Sequence, residues 1–312
     1  MNVFGNNNVH FPLLGNNVGV VSIGRVRELK TLVSPKQLAK AIGVSESSVK
    51  RWCDDSQLQA TYTPGGDRRI KVAEAVDFIR RSNHGLVDPR SIGLPSNLGK
   101  NSVEFSNASK LLTSALIDGE EANCRRIIID LYLQNTPLET IFDQVLFPAF
   151  VEIGDKWGCG EVAIYQERSA CLICSKLLIS LEETIPSPLS APLAIGGTLT
   201  GDFYEIPTQM VSLVGRQQGF QTKSLGANLP TSTILEAVEK FSPKWVWLSV
   251  SYIPEKNYFL AEVNQLWDEL SAQGIHLVLG GRALTADIKS GISYTTCCDS
   301  MTDLANFLKI MS

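Results

Sequence analysis

The spacing of hydrophobic positions divides the chain into stretches of different character. Between residues 103 and 186 apolar side chains recur every three or four positions, as in "FSNASKLLTSALIDG" and "EVAIYQERSACLICSKLLISLEETI", which predicts amphipathic helices. Four such segments with short connections predict a four-helix bundle. Pro148 lies inside the third segment, so we expect a kink or a local break there.

The period changes after "PSPLSAP". The short apolar runs "LAIGGTL", "KWVWLSV" and "IHLVLGG" suit parallel strands that are buried on both faces. Helical patterns separate them at 207–218, 231–241 and 256–273, and a last helix is predicted at about 300–311. This alternation predicts a flavodoxin-like, doubly wound parallel sheet over 190–312, with ligands beyond the carboxyl ends of its strands.

A compact helical unit is predicted between residues 30 and 83. Ser34 can cap a first helix that begins at Pro35, and Gly43 allows a tight turn before a second helix capped by Ser45. The following "ATYTPGGDRRIKV" is typical of a β-hairpin. Two short helices and a hairpin predict a winged helix-turn-helix, whose second helix enters the major groove of DNA.

The residues predicted to contact DNA lie on the second helix and on the hairpin, or wing. They are Ser47, Ser48, Lys50, Arg51, Arg68 and Arg69. Arginines on the wing would contact phosphates or a narrow minor groove, whereas cations on the helix would read bases or contact phosphate. The alternative is a solvated basic hairpin that binds protein. One unit covers little DNA, so we expect a dimer or higher homo-oligomer on double-stranded DNA.

Two segments carry no periodic pattern. We expect residues 1–29 to form a flexible arm. Residues 84–102 are rich in Gly, Pro, Ser and Asn, and this composition predicts a linker. The sequence contains no uncharged apolar run of about 18 residues and no basic start followed by an apolar core. We therefore expect neither a membrane span nor a secretory signal.

Charge and cysteine content favour a cytoplasmic protein with a basic end. Seven cysteines without framework spacing are typical of reduced thiols. The formal net charge is −4, yet residues 30–81 hold ten Lys/Arg and six Asp/Glu, a local +4 that leaves −8 for the remainder. Positive charge is therefore concentrated in the unit predicted to bind DNA.

The wing sequence "TPGGDRRI" resembles that of MerR-type regulators. A winged helix-turn-helix followed by a helical bundle and a flavodoxin-like sheet resembles the light-responsive MerR-type repressors of the CarH and LitR group. The last two domains are also similar to the cobalamin-binding module of methionine synthase. The resemblance covers roughly residues 33–310, and it implies a transcription regulator, usually a repressor, rather than an enzyme.

The loop "DFYEIP" departs from the family at the position of the cobalt ligand. The family has Asp, any residue, His, two residues and Gly, and its His supplies the lower axial ligand. Here Asp202 is kept, while Tyr204 and Pro207 replace the His and the Gly. A phenol with a pKa of about 10 must lose its proton to ligate a metal well, and the resulting phenolate suits Fe(III) better than cobalt.

Other positions of the family's cofactor site are partly kept. The resemblance implies a Ser that lines the nucleotide tail, a Gly-Gly pair after the fourth strand, and a Trp followed after nine residues by Glu-His. Arg168 replaces that second His, and a guanidinium offers no lone pair to a metal. The matching residues are Trp157, Glu167, Arg168, Asp202, Tyr204, Ser249, Gly280 and Gly281.

Several interpretations of the module stay open at this point. In the first, the module binds no cobalamin and serves assembly or another ligand. In the second, it binds cobalamin weakly, with the cofactor's own base or without any protein ligand. In the third, Tyr204 marks another tetrapyrrole such as haem. We expect no cofactor and no metal site. For the whole chain we expect a cobalamin-independent DNA-binding regulator. The alternatives are a corrinoid-dependent methyl carrier and an antagonist that forms mixed oligomers with a cobalamin-binding relative.

Overall fold

The computed structural model describes residues 32–96, 98, 103–188 and 190–311, so the predicted arm lies outside the described residues. In chain order the elements of the first unit are β1 (Leu32–Val33), α1 (Pro35–Ile42), α2 (Glu46–Asp54), β2 (Thr61–Tyr62), β3 (Arg68–Lys71) and α3 (Val72–Ser82). Strand β3 lies between β1 and β2 and is antiparallel to both.

The caps predicted for α1 and α2 are present. The Ser34 hydroxyl accepts a hydrogen bond from the Gln37 backbone N–H at 3.2 Å, and the Gln37 side chain accepts one from Ser34 N–H at 2.8 Å. Gly43 ends α1 in the left-handed conformation, with φ of 72°. The Ser45 hydroxyl then accepts from Ser48 N–H at 3.1 Å and starts α2.

The described part of the segment predicted to be a linker is largely packed structure. A 3₁₀ turn at Pro89–Ile92 lies against α1. Ile92, Leu94 and Leu98 are at most 3% exposed. The sequence of this segment has no helical or strand period, but a few apolar side chains suffice to pack it against its neighbours.

The middle of the chain forms the predicted four-helix bundle. Its helices are α4 (Phe105–Ile117), α5 (Glu121–Leu133), a third helix in two parts, α6 (Leu138–Ile141) and α7 (Phe147–Gly158), and α8 (Ile164–Glu182). A π-helical turn at Phe142–Leu146 joins α6 to α7. Because Pro148 has no N–H to donate to the preceding turn, the irregularity expected there takes this form.

Within the described residues, the remaining strands form one parallel sheet in the order β5-β4-β6-β7-β8. This is the flavodoxin-like order, so the predicted doubly wound sheet is confirmed. The strands are β4 (Leu193–Gly197), β5 (Gln221–Ser224), β6 (Trp245–Ser249), β7 (His276–Gly280) and β8 (Thr296–Cys298). The helices are α9 (Glu205–Gln217), α10 (Thr231–Phe241), α11 (Lys256–Ala272), α12 (Ala286–Ser290) and α13 (Met301–Met311).

The two faces of the sheet belong to different cores. Trp245 and Trp247 point into a core that includes α9, α13, the bundle and the first unit. Val246 and Leu248 point into a second core with α10 and α11. One apolar core therefore runs through all three parts of the chain. None of the helices in the described ranges has both the length and the apolar content that a membrane span requires.

Arg80 on α3 fixes the first unit to the bundle. Its Nε donates to the carbonyl of Tyr132 on α5 at 2.7 Å, and its guanidinium carbon lies 3.7 Å from the centre of the Tyr132 ring. The Asn135 side chain donates in turn to the Arg80 carbonyl at 2.8 Å. Tyr132 is 1% exposed, so this cation–π contact is well shielded from water.

We expect Arg80→Ala to lower the free energy of unfolding by about 1–3 kcal/mol, because it removes both the cation–π contact and the hydrogen bond. Arg81→Ala is the matched control. Arg81 is an exposed neighbour that pairs with Asp77 at 2.6 Å, and its loss should cost about 0.5 kcal/mol or less. Urea denaturation of both variants measures the difference. Equal effects of the two substitutions would contradict a docking role for Arg80.

Candidate ligand site and candidate nucleic-acid interface

Asp202 joins the two loops that meet at the carboxyl edge of the sheet. Its carboxylate accepts hydrogen bonds from the backbone N–H groups of Tyr204 at 3.1 Å, Ser251 at 2.6 Å and Tyr252 at 3.1 Å. Burial raises the pKa of this carboxyl, and the three N–H groups oppose that rise. The carboxylate is therefore committed to the backbone, where it holds the loop after β4 to the loop after β6.

Tyr204 is the residue before α9, and its half-buried side chain faces the start of α8 in the bundle. Burial raises the pKa of the Tyr204 phenol, and the nearby Arg168 guanidinium opposes the rise. The phenol thus stays protonated at neutral pH and is a weak ligand for cobalt or for iron. Asp202 and Glu167 are its other charged neighbours, and Glu167 pairs with Arg168 at 3.3 Å.

Aromatic side chains border this edge of the sheet. Phe203 and Tyr252, on the two loops that Asp202 joins, are 69% and 49% exposed. Trp157, near the end of α7, is half-buried and packs against the bundle core. The Arg282 guanidinium carbon, after β7, lies 5.8 Å from the centre of the Phe147 ring on α7. No local pattern marked Arg282, because its partner is in another domain.

The residues matched to the nucleotide tail and the Gly-Gly pair lie at the ends of β6 and β7. Ser249 is 3% exposed, and its hydroxyl has no hydrogen-bond partner among the described residues. Gly281 has φ of 132°, and a Cβ there would lie 2.2 Å from the Val250 carbonyl oxygen. Gly280 accepts from Val250 N–H at 2.8 Å. The glycine pair therefore serves the close approach of two backbones.

This set of side chains does not fit a cobalt ion that the protein ligates. Asp202 is taken up by backbone groups, the Tyr204 phenol keeps its proton, and Arg168 is a cation. Within the described ranges, no three His, Cys, Asp or Glu side chains are grouped so that they could hold a metal. An open cavity of about 300 Å³ lies elsewhere, between α8, α9 and β5, and Gln209 and Lys223 line it.

The second helix of the first unit presents a polar and basic face. Val49 is fully buried, while Ser47 and Arg51 are exposed. In the described part of the chain, Arg51 has no ion-pair partner. Lys50 pairs with Glu46 at 2.8 Å, an exposed contact that a phosphate can displace.

Ser47, Ser48, Arg68 and Arg69 also have partners within the unit. The hydroxyls of Ser47 and Ser48 each lie 2.8 Å from that of Ser45, in the cap of α2. Arg68 does not project from the wing as expected. Its guanidinium donates to the Lys50 carbonyl at 2.7 Å and to Asp54 Oδ1 at 2.5 Å, because the paired strands bring β3 against the end of α2. Arg69 is half-buried and lies 3.5 Å from Asp67.

Comparison with curated proteins gives matches to part of a larger enzyme. The methionine synthase of Mycobacterium tuberculosis is 22% identical over 177 residues, which is 56% of this chain and 15% of that protein. The methionine synthase of Mycobacterium leprae is 23% identical over 181 residues, with the same coverage. The chain therefore spans about one-seventh of the length of these relatives.

A solved structure shares the fold. The monomethylamine corrinoid protein of Methanosarcina barkeri superposes with a TM-score of 0.55 at 18% identity, over 67% of this chain and 100% of that one. Residues 109–182 and 192–300 match two family profiles, each described as a B12 binding domain. The bundle and the parallel sheet of this chain are therefore B12-binding domains, one helical and one Rossmann-like.

Proposed function

We propose that the chain is a DNA-binding transcription regulator in which the B12-binding fold serves assembly or another signal, without protein-ligated cobalamin. The observation that carries the DNA-binding part is the position of α2. The helix is anchored through Val49, and its exposed face carries Ser47, Lys50 and Arg51. A short capped helix with a basic outer face suits insertion into the major groove.

Arg68 supports this proposal in a way that differs from the sequence-based expectation. Through its bonds to Lys50 and Asp54 it joins strand β3 to the last turn of α2. The same guanidinium lies 5.8 Å from the centre of the Tyr62 ring on strand β2, so it connects the helix to both strands of the hairpin. We therefore assign Arg68 to positioning, and Arg51 and Lys50 to contact with phosphates or bases. Two copies of the chain would be needed to cover two half-sites.

The proposed cobalamin independence is supported by Tyr204 and Arg168, which occupy the two positions where the resemblance calls for His. A phenol that keeps its proton at neutral pH is a poor metal ligand, and a guanidinium has no lone pair to offer. A corrinoid-dependent methyl carrier is the second candidate. The fold match to a protein described as a monomethylamine corrinoid protein, which spans all of that protein and 67% of this chain, favours it. Absorption spectra of the chain mixed with a cobalamin separate the two.

We expect Arg51→Ala to weaken binding to a fluorescently labelled DNA duplex of mixed sequence. Loss of one phosphate contact should reduce the slope of log K against log salt by about 0.9. Fluorescence anisotropy over a salt series measures this slope. Lys176→Ala, on the bundle, removes one positive charge from the chain as well and should leave the slope unchanged. Identical slopes for both variants would remove Arg51 from the interface.

Arg68→Ala and Arg69→Ala should behave differently from each other. Arg68→Ala should lower both DNA affinity and the melting temperature of the first unit, since the α2–β3 connection is lost. Arg69→Ala should reduce the salt slope with little change in melting temperature. Unchanged DNA binding in the double variant would show that the hairpin is not part of the interface.

We expect the purified chain, mixed with adenosylcobalamin in the dark and desalted, to carry no corrin absorbance. The reason is that neither Tyr204 nor Arg168 ligates cobalt. Absorption spectra before and after illumination provide the measurement. Stoichiometric corrin that changes on illumination would refute cobalamin independence and favour a light-responsive regulator. Corrin that accepts and donates a methyl group would favour the carrier.

A further inference from the structure

We infer that Trp247 excludes the nucleotide tail of a corrinoid from the sheet, independently of the missing cobalt ligand. This inference rests on the proposed cobalamin independence and supplies a second, steric cause for it. If Ser249 lines a nucleotide tail, as the resemblance implies, that tail must run on the face of β6 to which Ser249 points. The packing on that face decides whether it can enter.

Side chains alternate along β6, so Ser249, Trp247 and Trp245 point to the same face. Trp245 and Trp247 belong to the core with α9 and α13, so that face is the one these two helices cover. Trp247 lies two residues below Ser249, a separation of about 7 Å along the strand. A nucleotide with its sugar and phosphate is longer than that separation, so a tail that contacts Ser249 would meet the indole.

The indole of Trp247 fills space left by a glycine on the neighbouring strand. Gly196 pairs with Trp247 across β4 and β6. A Cβ at Gly196 would lie 2.3 Å from Cδ2 of Trp247, so the ring rests directly on the bare glycine backbone. A glycine in a strand can leave space for a ligand. Here the Trp247 side chain fills that space.

The second indole, that of Trp245, packs against a glycine of helix α9 in the same way. A Cβ at Gly215 on α9 would lie 3.2 Å from Cζ2 of Trp245. The two indoles lie with ring centres 5.5 Å apart, and the Phe220 ring packs edge-on against Trp245 at 5.8 Å. Trp245 and Trp247 form a layer, here called the indole layer, between the sheet and α9. Each is at most 1% exposed.

A hydrogen bond holds the indole layer closed. Trp247 Nε1 donates to the Thr208 hydroxyl on α9 at 2.7 Å, and both residues are buried. Rotation of the Trp247 ring out of the layer would leave a buried N–H and a buried hydroxyl without partners, which is unfavourable. It would also open a cavity the size of an indole. The layer is therefore an obstacle that a ligand cannot easily displace.

The experiment separates the corrin ring from its tail. The variant Tyr204→His/Pro207→Gly restores the two loop residues that the family has, and leaves the indole layer untouched. It is mixed with diaquocobinamide, a corrinoid without a nucleotide, or with aquocobalamin, and each sample is desalted. We expect the variant to retain cobinamide, with the spectrum of imidazole-ligated cobalt. We expect it to retain at least tenfold less cobalamin in the form whose own base is displaced from cobalt.

Two results would overturn the inference. Equal retention of both corrinoids, with the cobalamin base displaced, would show that the tail enters despite Trp247. Retention of neither would show that the corrin ring itself is excluded, so that the tail is not what the structure rejects. Wild-type protein that retains cobalamin with its base still on cobalt would end the proposed cobalamin independence and leave this inference standing. Wild-type protein that retains cobalamin with the base displaced from cobalt would contradict both the proposed cobalamin independence and this inference.

A third substitution provides the converse test. Adding Trp247→Gly to the restored variant should allow base-displaced cobalamin to bind at least tenfold better. Adding Trp245→Gly instead makes a cavity of the same size farther from Ser249 and should give no gain. Equal gains would overturn the inference. Circular dichroism melts show whether each variant folds, and if the glycine variants do not, the comparison of the two corrinoids decides.

Discussion

The candidate ligand site depends on one buried carboxylate. Asp202 bonds three backbone N–H groups from two separate loops, and it is 2% exposed. A buried charge with incomplete bonding would be costly, so the loops must keep their relative position as long as the carboxylate is ionised. The positions of Tyr204 and of the backbone after Ser249 follow from this constraint. Asp202 thereby holds together two loops at the carboxyl edge of the Rossmann-like B12-binding domain.

Retention of the scaffold and retention of the ligand chemistry are separate matters in this chain. The elements that stabilise the fold are backbone contacts, such as the close approach of Gly281 to Val250, and these are kept. The groups at the ligand positions are a protonated phenol and a guanidinium paired with Glu167, and neither is a good metal ligand. The indole layer adds to this by using the interior space for packing.

The sequence predicted the elements whose signal is local. The caps Ser34 and Ser45, the bundle helices and the three buried strands follow from residue type and period. Strand β5, with the sequence QTKS, was not predicted because an edge strand needs no apolar residues. The packed segment around Ile92 and the inward turn of Arg68 were not predicted either. Both depend on which side chain meets which across the fold, and no spacing along the chain encodes that directly.

The connection between the first unit and the bundle bears on how a regulator of this build would work. The segment with Ile92, Leu94 and Leu98 is buried, and Arg80 is bonded to the backbone and ring of Tyr132. Because of these contacts, a displacement of the bundle would carry the first unit with it as a rigid body, whereas a flexible linker would absorb the displacement. Under the proposed function, in which copies associate through the B12-binding fold, a change in that association would therefore alter the spacing between two α2 helices. Under the proposed function, assembly through the B12-binding fold would control DNA binding by geometry, with no need for a change inside the first unit.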